Sequence, residues 1–323
     1  RLLLPDELSP VPPEGMSPDR AFRGVGWAAL HTDLMHPKND LMVLFKSSPY
    51  GSVSHSHADQ NSFVIMKGGR ALAIPGGKRY PQHGSPFHEL YTQQTSAHNA
   101  LLIDGQGQRN RDDTAKGRLI GFRSLPHMAY VSGDASECYP QRLQKCLRHI
   151  ILVRPSLILV LDEVEGAKPI ELSWLLHTKQ ESILQSDSQS FTAQREHLRM
   201  EVHLESAAGP LTVSQTDEWP ITPKEGYPMV KAADPPRQWH LEAKTTHLES
   251  RHLLLAVMVV GDENQMPDYE LRREEEHILV KANLEGGAAT ARVNLGVASQ
   301  SLLPRVTINF EPVDGEEERL TIP

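Results

Sequence analysis

Residues 148–162 read Arg-His-Ile-Ile-Leu-Val-Arg-Pro-Ser-Leu-Ile-Leu-Val-Leu-Asp, and few folds can accommodate such a stretch. Two apolar runs of strand length flank a Pro-Ser turn, and neither run has a polar side to offer to water. A length of this kind suits an antiparallel pair buried on both faces, the central hairpin of a sandwich. The segments before it are built alike, with short apolar runs at 25–30, 41–46, 62–66, 71–74, 100–103, 119–122 and 128–131 bounded by Gly, Pro or polar residues. None keeps a 3.6-residue stripe over three turns. After about Ser182 the runs alternate polar with apolar, as in Leu198-Arg-Met-Glu-Val-His-Leu204, which places one face in solvent. Further segments at 170–177, 191–194, 239–243, 253–260, 278–282, 290–295 and 306–310 bring the expected total to roughly sixteen strands. The predicted fold class is all-β, a large antiparallel two-sheet sandwich.

Punctuation divides the chain. Residues 1–20 carry five prolines and little periodicity, which predicts an extended linker arriving from an upstream domain. Residues 21–218 form the expected sandwich, and 219–323 are either its continuation or a small terminal sheet, with the proline-rich 219–236 stretch as a long loop or boundary. The chain begins at Arg1 with no Met and no charged segment leading into an apolar one, so the expectation is a piece of a longer protein.

Charge and cysteine content exclude some functions. With 41 acidic and 33 basic residues the net charge is −8, the wrong sign for sequence-independent binding to nucleic acid. No stretch approaches the roughly 18 consecutive apolar residues of a membrane helix. Cys138 and Cys146 are the only cysteines, so neither a disulfide framework nor a cysteine zinc knot is expected.

The chemistry concentrates between 47 and 108. Ser54-His55-Ser56-His57-Ala58-Asp59-Gln60-Asn61-Ser62-Phe63 is followed by Pro75-Gly76-Gly77-Lys78-Arg79-Tyr80, then by His83, His88 and Thr95-Ser96-Ala97-His98-Asn99. Histidine serves two purposes here, because its neutral ring binds metals and its pKa lies near working pH. His55 and His57 are two apart and point the same way on an extended strand. Asp59, Gln60 and Asn61 supply a carboxylate and amides that can fix a ring tautomer. A metal would need a third ligand beyond such a pair, and His98 is the best placed. Tyr80 follows a glycine pair and sits beside two cations that favour a phenolate or attract a carboxylate. The bland alternatives are polar strand-edge histidines and an ordinary loop tyrosine.

In order and spacing these motifs, with Gly84-Ser85-Pro86-Phe87-His88 and Asp104-Gly105-Gln106-Gly107-Gln108, resemble the heparinase II/III-like polysaccharide lyases, in the manner of the oligoalginate and heparin lyases. The resemblance covers about the first hundred residues. It implies an N-terminal α/α toroid, absent from this sequence, packed against a C-terminal antiparallel β-sandwich, with an anionic sugar chain in the cleft between them. It also implies a periplasmic or extracellular location.

By the resemblance, His55 faces the cleft and helps bind or neutralise the uronate carboxylate, and Tyr80 lies near a cleft tyrosine. For the chemistry, Tyr80 is expected either to donate to the leaving oxygen or to line the subsite, with Gln60, Asn61 and His88 holding hydroxyls and carboxylates. The family's zinc is held by the second His of the HxH pair, an aspartate at the glycine turn and the His of the HN motif. His57 and His98 match the two histidines, but Pro75 stands at the aspartate's position, and its side chain cannot coordinate. The two histidines therefore either bind zinc or form a hydrogen-bonded network. The expected activity of the parent enzyme is β-elimination at a uronate, with this chain alone inactive. The alternatives are a noncatalytic carbohydrate-binding or scaffold module, and a metal-dependent hydrolase built on HxH.

Overall fold

The computed structural model describes residues 11–77, 84–139, 141–186, 189–221, 223, 237–296 and 305–323. These residues hold 22 strands and only three short helical turns, His88–Thr92, Thr95–Ala97 and Ser136–Cys138. All the strand pairings are antiparallel, as the sequence pattern predicts for a sandwich.

The central hairpin organises the rest. Leu143–Val153 and Leu157–Ile170 pair with Leu157 opposite Val153, and they occupy the middle of an eight-stranded sheet. Alternation sends successive side chains to opposite faces. Ile150, Leu152, Ile158 and Val160 enter one core, while Ile151, Val153, Leu157, Leu159 and Leu161 enter another. Each fully buried Leu or Ile contributes about 1.5–3 kcal/mol by leaving water, so this hairpin anchors two cores at once.

On the first face lie two smaller sheets. The five-stranded one runs in chain order through Arg20–Phe22, Trp27–His31, Leu41–Lys46, Ser62–Lys67 and Arg70–Ala73; the four-stranded one is ordered Leu211–Thr216, Trp239–Thr245, Leu172–Thr178, Leu101–Ile103. They meet where Ile74 N donates to His177 O at 3.0 Å. On the second face packs a C-terminal five-stranded meander, from Asp268–Glu274 to Glu318–Ile322, whose Ile278, Val280, Ile308 and Phe310 fill the outer core. The part after 219 therefore divides: Trp239–Thr245 and Glu249–Asp262 complete the inner sheets, and the separate sheet begins only at Asp268.

Two charged residues interrupt the apolar runs of the hairpin, Arg148 and Asp162, and they are register partners. Arg148 Nε and Nη2 donate to the two Asp162 oxygens at 2.7 and 2.9 Å, with side chains 1% and 0% exposed. The remaining nitrogen, Nη1, donates to Asn61 O at 2.8 Å and Asn99 O at 2.7 Å, and the guanidinium lies 5.3 Å from the Phe63 ring centre. A buried pair of this kind is tolerable only because every charge is hydrogen-bonded.

A second buried carboxylate sits on the outer face. Glu163 is bonded by Lys145 Nζ at 2.7 Å and faces His149 Nε2 at 3.2 Å. Burial opposes its charge, but the adjacent His149 and the hydrogen bond from Lys145 outweigh this and bring its pKa from 4.5 to about 2. A folded-state pKa below the unfolded one adds stability above the unfolded value, and that stability is lost as pH falls through the folded value. Stability should therefore drop by roughly 3 kcal/mol between pH 4.5 and 2 through this group. Urea titrations across that window should show the slope in the wild type and a clearly shallower one in Glu163→Gln; equal slopes would refute the assignment.

Candidate functional site

The motif-bearing loops converge above the five-stranded sheet on a pocket of about 330 Å³ lined by Trp27, Lys46, His57, Asp59, Pro75, Gly76, Thr92 and His98, among others. Strand alternation explains one wall. In Leu41–Lys46 the residues Leu41, Val43 and Phe45 join the inner core, which turns Leu44 and Lys46 toward the other side. Trp27 is the cross-strand partner of Lys46 and is 42% exposed. The second wall is the turn at Gly76, where a Cβ would collide with Tyr91 Oη and lie 2.9 Å from His177 Cδ2. Only glycine permits that approach.

Within the pocket the polar groups form a chain. Lys46 Nζ is hydrogen-bonded to Asp59 Oδ1, Asp59 Oδ2 lies 3.9 Å from His98 Nδ1, and His98 Nε2 lies 3.2 Å from both Thr92 O and His57 Nδ1. A carbonyl only accepts, so the His98 proton sits on Nε2 and also faces the His57 lone pair. Burial, followed by the neighbouring His98, pushes the His57 pKa down to about 4. Burial likewise lowers that of His98, against the pull of Asp59. Both imidazoles are therefore neutral at pH 7.

Behind the glycine turn lies an aromatic layer. Phe87, Tyr91, Trp219 and His240 pack in tilted and edge-to-face pairs with ring centres 5.1 to 5.7 Å apart, and Tyr91 Oη lies 3.2 Å from His240 Nδ1. His177 packs on His240 at 5.1 Å and donates from Nε2 to Ser96 O at 3.0 Å. Gln238 Oε1 accepts from Gly77 N at 2.6 Å, and Gly76 N donates to Ala97 O at 2.6 Å. The start of the segment that leads to Tyr80 is thereby fixed.

The residues singled out from sequence separate into two groups. His57 and His98 meet in the pocket, and His55 is exposed and lies outside its lining. Gln60, Asn61 and His88 turn inward instead. Gln60 Oε1 accepts from Ser48 N at 2.6 Å and its Nε2 donates to Gly51 O at 3.2 Å. Its backbone is clamped by Gln108, which accepts from Gln60 N and donates to Gln60 O, both at 2.8 Å. Asn61 adopts φ 59°, a left-handed conformation that Asn tolerates, and donates to Gly133 O and Cys146 O. His88 is 1% exposed, accepts from Gly84 N at 3.1 Å and has its ring centre 6.2 Å from that of His57. Their side chains brace the loops. Tyr80, with Lys78, Arg79 and His83, lies outside the described residues.

Sequence reasoning missed Lys46, Trp27, Tyr91, His177 and His240. The signal for Lys46 was present, since it is the one charged residue in the otherwise apolar strand Leu41–Lys46. The three aromatic-layer residues come from segments far apart in the chain, and no spacing reports their meeting.

The zinc implied by the resemblance does not find a complete ligand set. Pro75 lines the pocket where a carboxylate was expected, Asp59 is bound to Lys46, and His98 Nε2 is engaged with Thr92 O, which leaves only its Nδ1, 3.9 Å from Asp59, as a donor atom. Among the described residues no group of three His, Cys, Asp or Glu is arranged to hold a metal ion.

Taken together, the antiparallel layers and the knitted histidine loops define a large antiparallel β-sandwich domain. The model of the family "Heparinase II/III-like, C-terminal" matches residues 15–282, and the chain belongs to that family. No curated protein matches the sequence. Among solved structures, a heparinase III gene product superposes with a TM-score of 0.67 at 14% identity, over 87% of this chain and 43% of its own. Heparan sulfate lyase HepC from Pedobacter heparinus gives 0.64 at 15%, over 87% and 43%. A further heparinase III gives 0.63 at 16%, over 86% and 42%. At these identities the likeness is one of fold, and the chain spans less than half the length of these structures. Among the described residues no helix is long and apolar enough to cross a membrane.

The aromatic layer generates a pH prediction. Burial, then the neighbouring His240 and His98, brings the His177 pKa to about 3, and burial brings that of His240 to about 4. The unfolded chain binds protons near pH 6.5 that the folded chain refuses, so this contribution is complete above 6.5 and is lost as pH falls toward 4 and 3. In an NMR titration both rings should remain neutral at about pH 5. A midpoint near 6.5 for either would show that it is solvated.

Proposed function

We propose that this chain forms one wall of the substrate cleft of a polysaccharide lyase that cleaves a uronate-containing anionic polysaccharide, alginate or heparin/heparan-like, by β-elimination. The observation that carries this reading is the pocket itself. It has a volume of about 330 Å³ and is lined by Trp27, 42% exposed, and by His57 and His98, with His55 two residues away in the sequence, in a chain of the heparinase II/III-like family. An indole offers a pyranose a flat apolar face, while polar groups around it fix orientation.

Elimination requires removal of the C5 proton, which becomes more acidic when the adjacent carboxylate is neutralised, and protonation of the departing glycosidic oxygen. His55 is assigned to the carboxylate. Tyr80, in the segment between Gly77 and Gly84, is assigned to the leaving oxygen. Gln60, Asn61 and His88 act indirectly, by holding the loops that carry His55 and His57. The remaining acid–base groups are assigned to a helical toroid on the other side of the cleft, so the isolated chain binds sugar without turning it over. Such polymers are met in the periplasm or outside the cell, which is the proposed location.

The test is calorimetric titration of the chain with alginate and heparan sulfate oligosaccharides, together with turnover in a protein joining it to its helical half. Saturable binding is expected, with no unsaturated product from the chain alone. In the joined protein His55→Ala should lower product formation by about 10²-fold. Absence of binding to any uronate oligosaccharide would overturn the reading, and unchanged turnover in His55→Ala would remove that residue's role.

A further inference from the structure

We propose that the Lys46 ammonium is the resident cation of this pocket and that the His57, Asp59 and His98 cluster works without a divalent metal. Among the described residues lining the pocket, Lys46 is the only Lys or Arg and Asp59 the only carboxylate. They are bonded to each other, with side chains only 11% and 12% exposed. The pair is set by the fold. Lys46 closes the strand Leu41–Lys46 opposite both Trp27 and Ser62, and Asp59 lies three residues before Ser62, whose N donates to Asp59 O at 3.2 Å.

A divalent ion would need deprotonated ligands, an available carboxylate and no fixed positive charge close by. The pocket meets these requirements poorly. His98 Nε2 is 3.2 Å from Thr92 O, which only a protonated nitrogen satisfies, and the one donor atom left on that ring, Nδ1, faces the Lys46-bound Asp59 at 3.9 Å. Asp59 is neutralised by Lys46, and Pro75 brings no donor atom. The 3.2 Å separation of His57 Nδ1 and His98 Nε2 is therefore a hydrogen bond between the two rings. None of these contacts depends on the lyase reading, so the two can fail or succeed separately.

The experiment equilibrates the whole chain with excess zinc, desalts it, counts zinc by plasma mass spectrometry, and measures affinity by competition with a chromophoric chelator. Wild type and Lys46→Arg should retain fewer than about 0.1 ion per chain. Lys46→Met removes the repelling charge and frees Asp59, so it should bind zinc at least about tenfold more tightly than wild type, and the gain should vanish in Lys46→Met/His98→Ala. One zinc per wild-type chain, lost in His57→Ala or His98→Ala, would overturn the proposal, as would equal affinities in wild type and Lys46→Met. Should Lys46→Met not fold, the wild-type stoichiometry alone decides.

Discussion

One buried ion pair fixes the relation between scaffold and site. Arg148 and Asp162 face each other across the central hairpin, in the layer that separates the two cores. The guanidinium uses two nitrogens on the carboxylate and its third on the backbone carbonyls of Asn61 and Asn99. Those two asparagines close the HxH and HN loops, so a single buried cation holds both histidine-bearing segments against the sheet. Replacing such a pair with apolar residues can be neutral, whereas removing one partner leaves an uncompensated charge and costs about 3–5 kcal/mol. Here the loss would also release two loop carbonyls.

The neighbouring contacts extend the same logic. Asn99 donates to Phe63 O and accepts from His177 N, both at 2.8 Å, which ties the loops to the four-stranded sheet. Gln108 binds the backbone of Gln60 and sits beside Thr95, whose hydroxyl accepts the Gln108 N–H at 2.8 Å and donates to Ala58 O at 2.7 Å. Most of the polar signature in 55–108 is thus consumed in building the pocket. Among the described residues, the pocket lining keeps His57, His98, Trp27 and the Lys46–Asp59 pair.

Much of this was legible in the sequence, and the failures have a common cause. The central strands announce themselves as continuous apolar runs because both their faces are buried. Five strands escape the pattern: Arg20–Phe22, Ile183–Leu184, Leu211–Thr216, Asp268–Glu274 and Glu318–Ile322. Every one is a sheet edge, paired on one side and largely exposed, so burial imposes little on its composition. In the site, the convergence of His57 with His98 could be anticipated from their motifs. The inward turn of Gln60, Asn61 and His88 could not, because a polar residue next to a histidine looks the same whether it faces a ligand or a carbonyl. Arg148 and Asp162 did leave a trace, standing at equal distances either side of Pro155 in runs that are otherwise apolar.

The central claim is that the Arg148–Asp162 pair holds the histidine loops on the hairpin. It is tested most directly by amide hydrogen exchange in Arg148→Lys, which keeps the charge but cannot reach the carboxylate and both carbonyls at once. Exchange should accelerate first at residues 61–63 and 97–101, while the C-terminal sheet from Asp268 onward keeps wild-type protection. Uniform acceleration across all sheets, or no change at the two loops, would contradict the account.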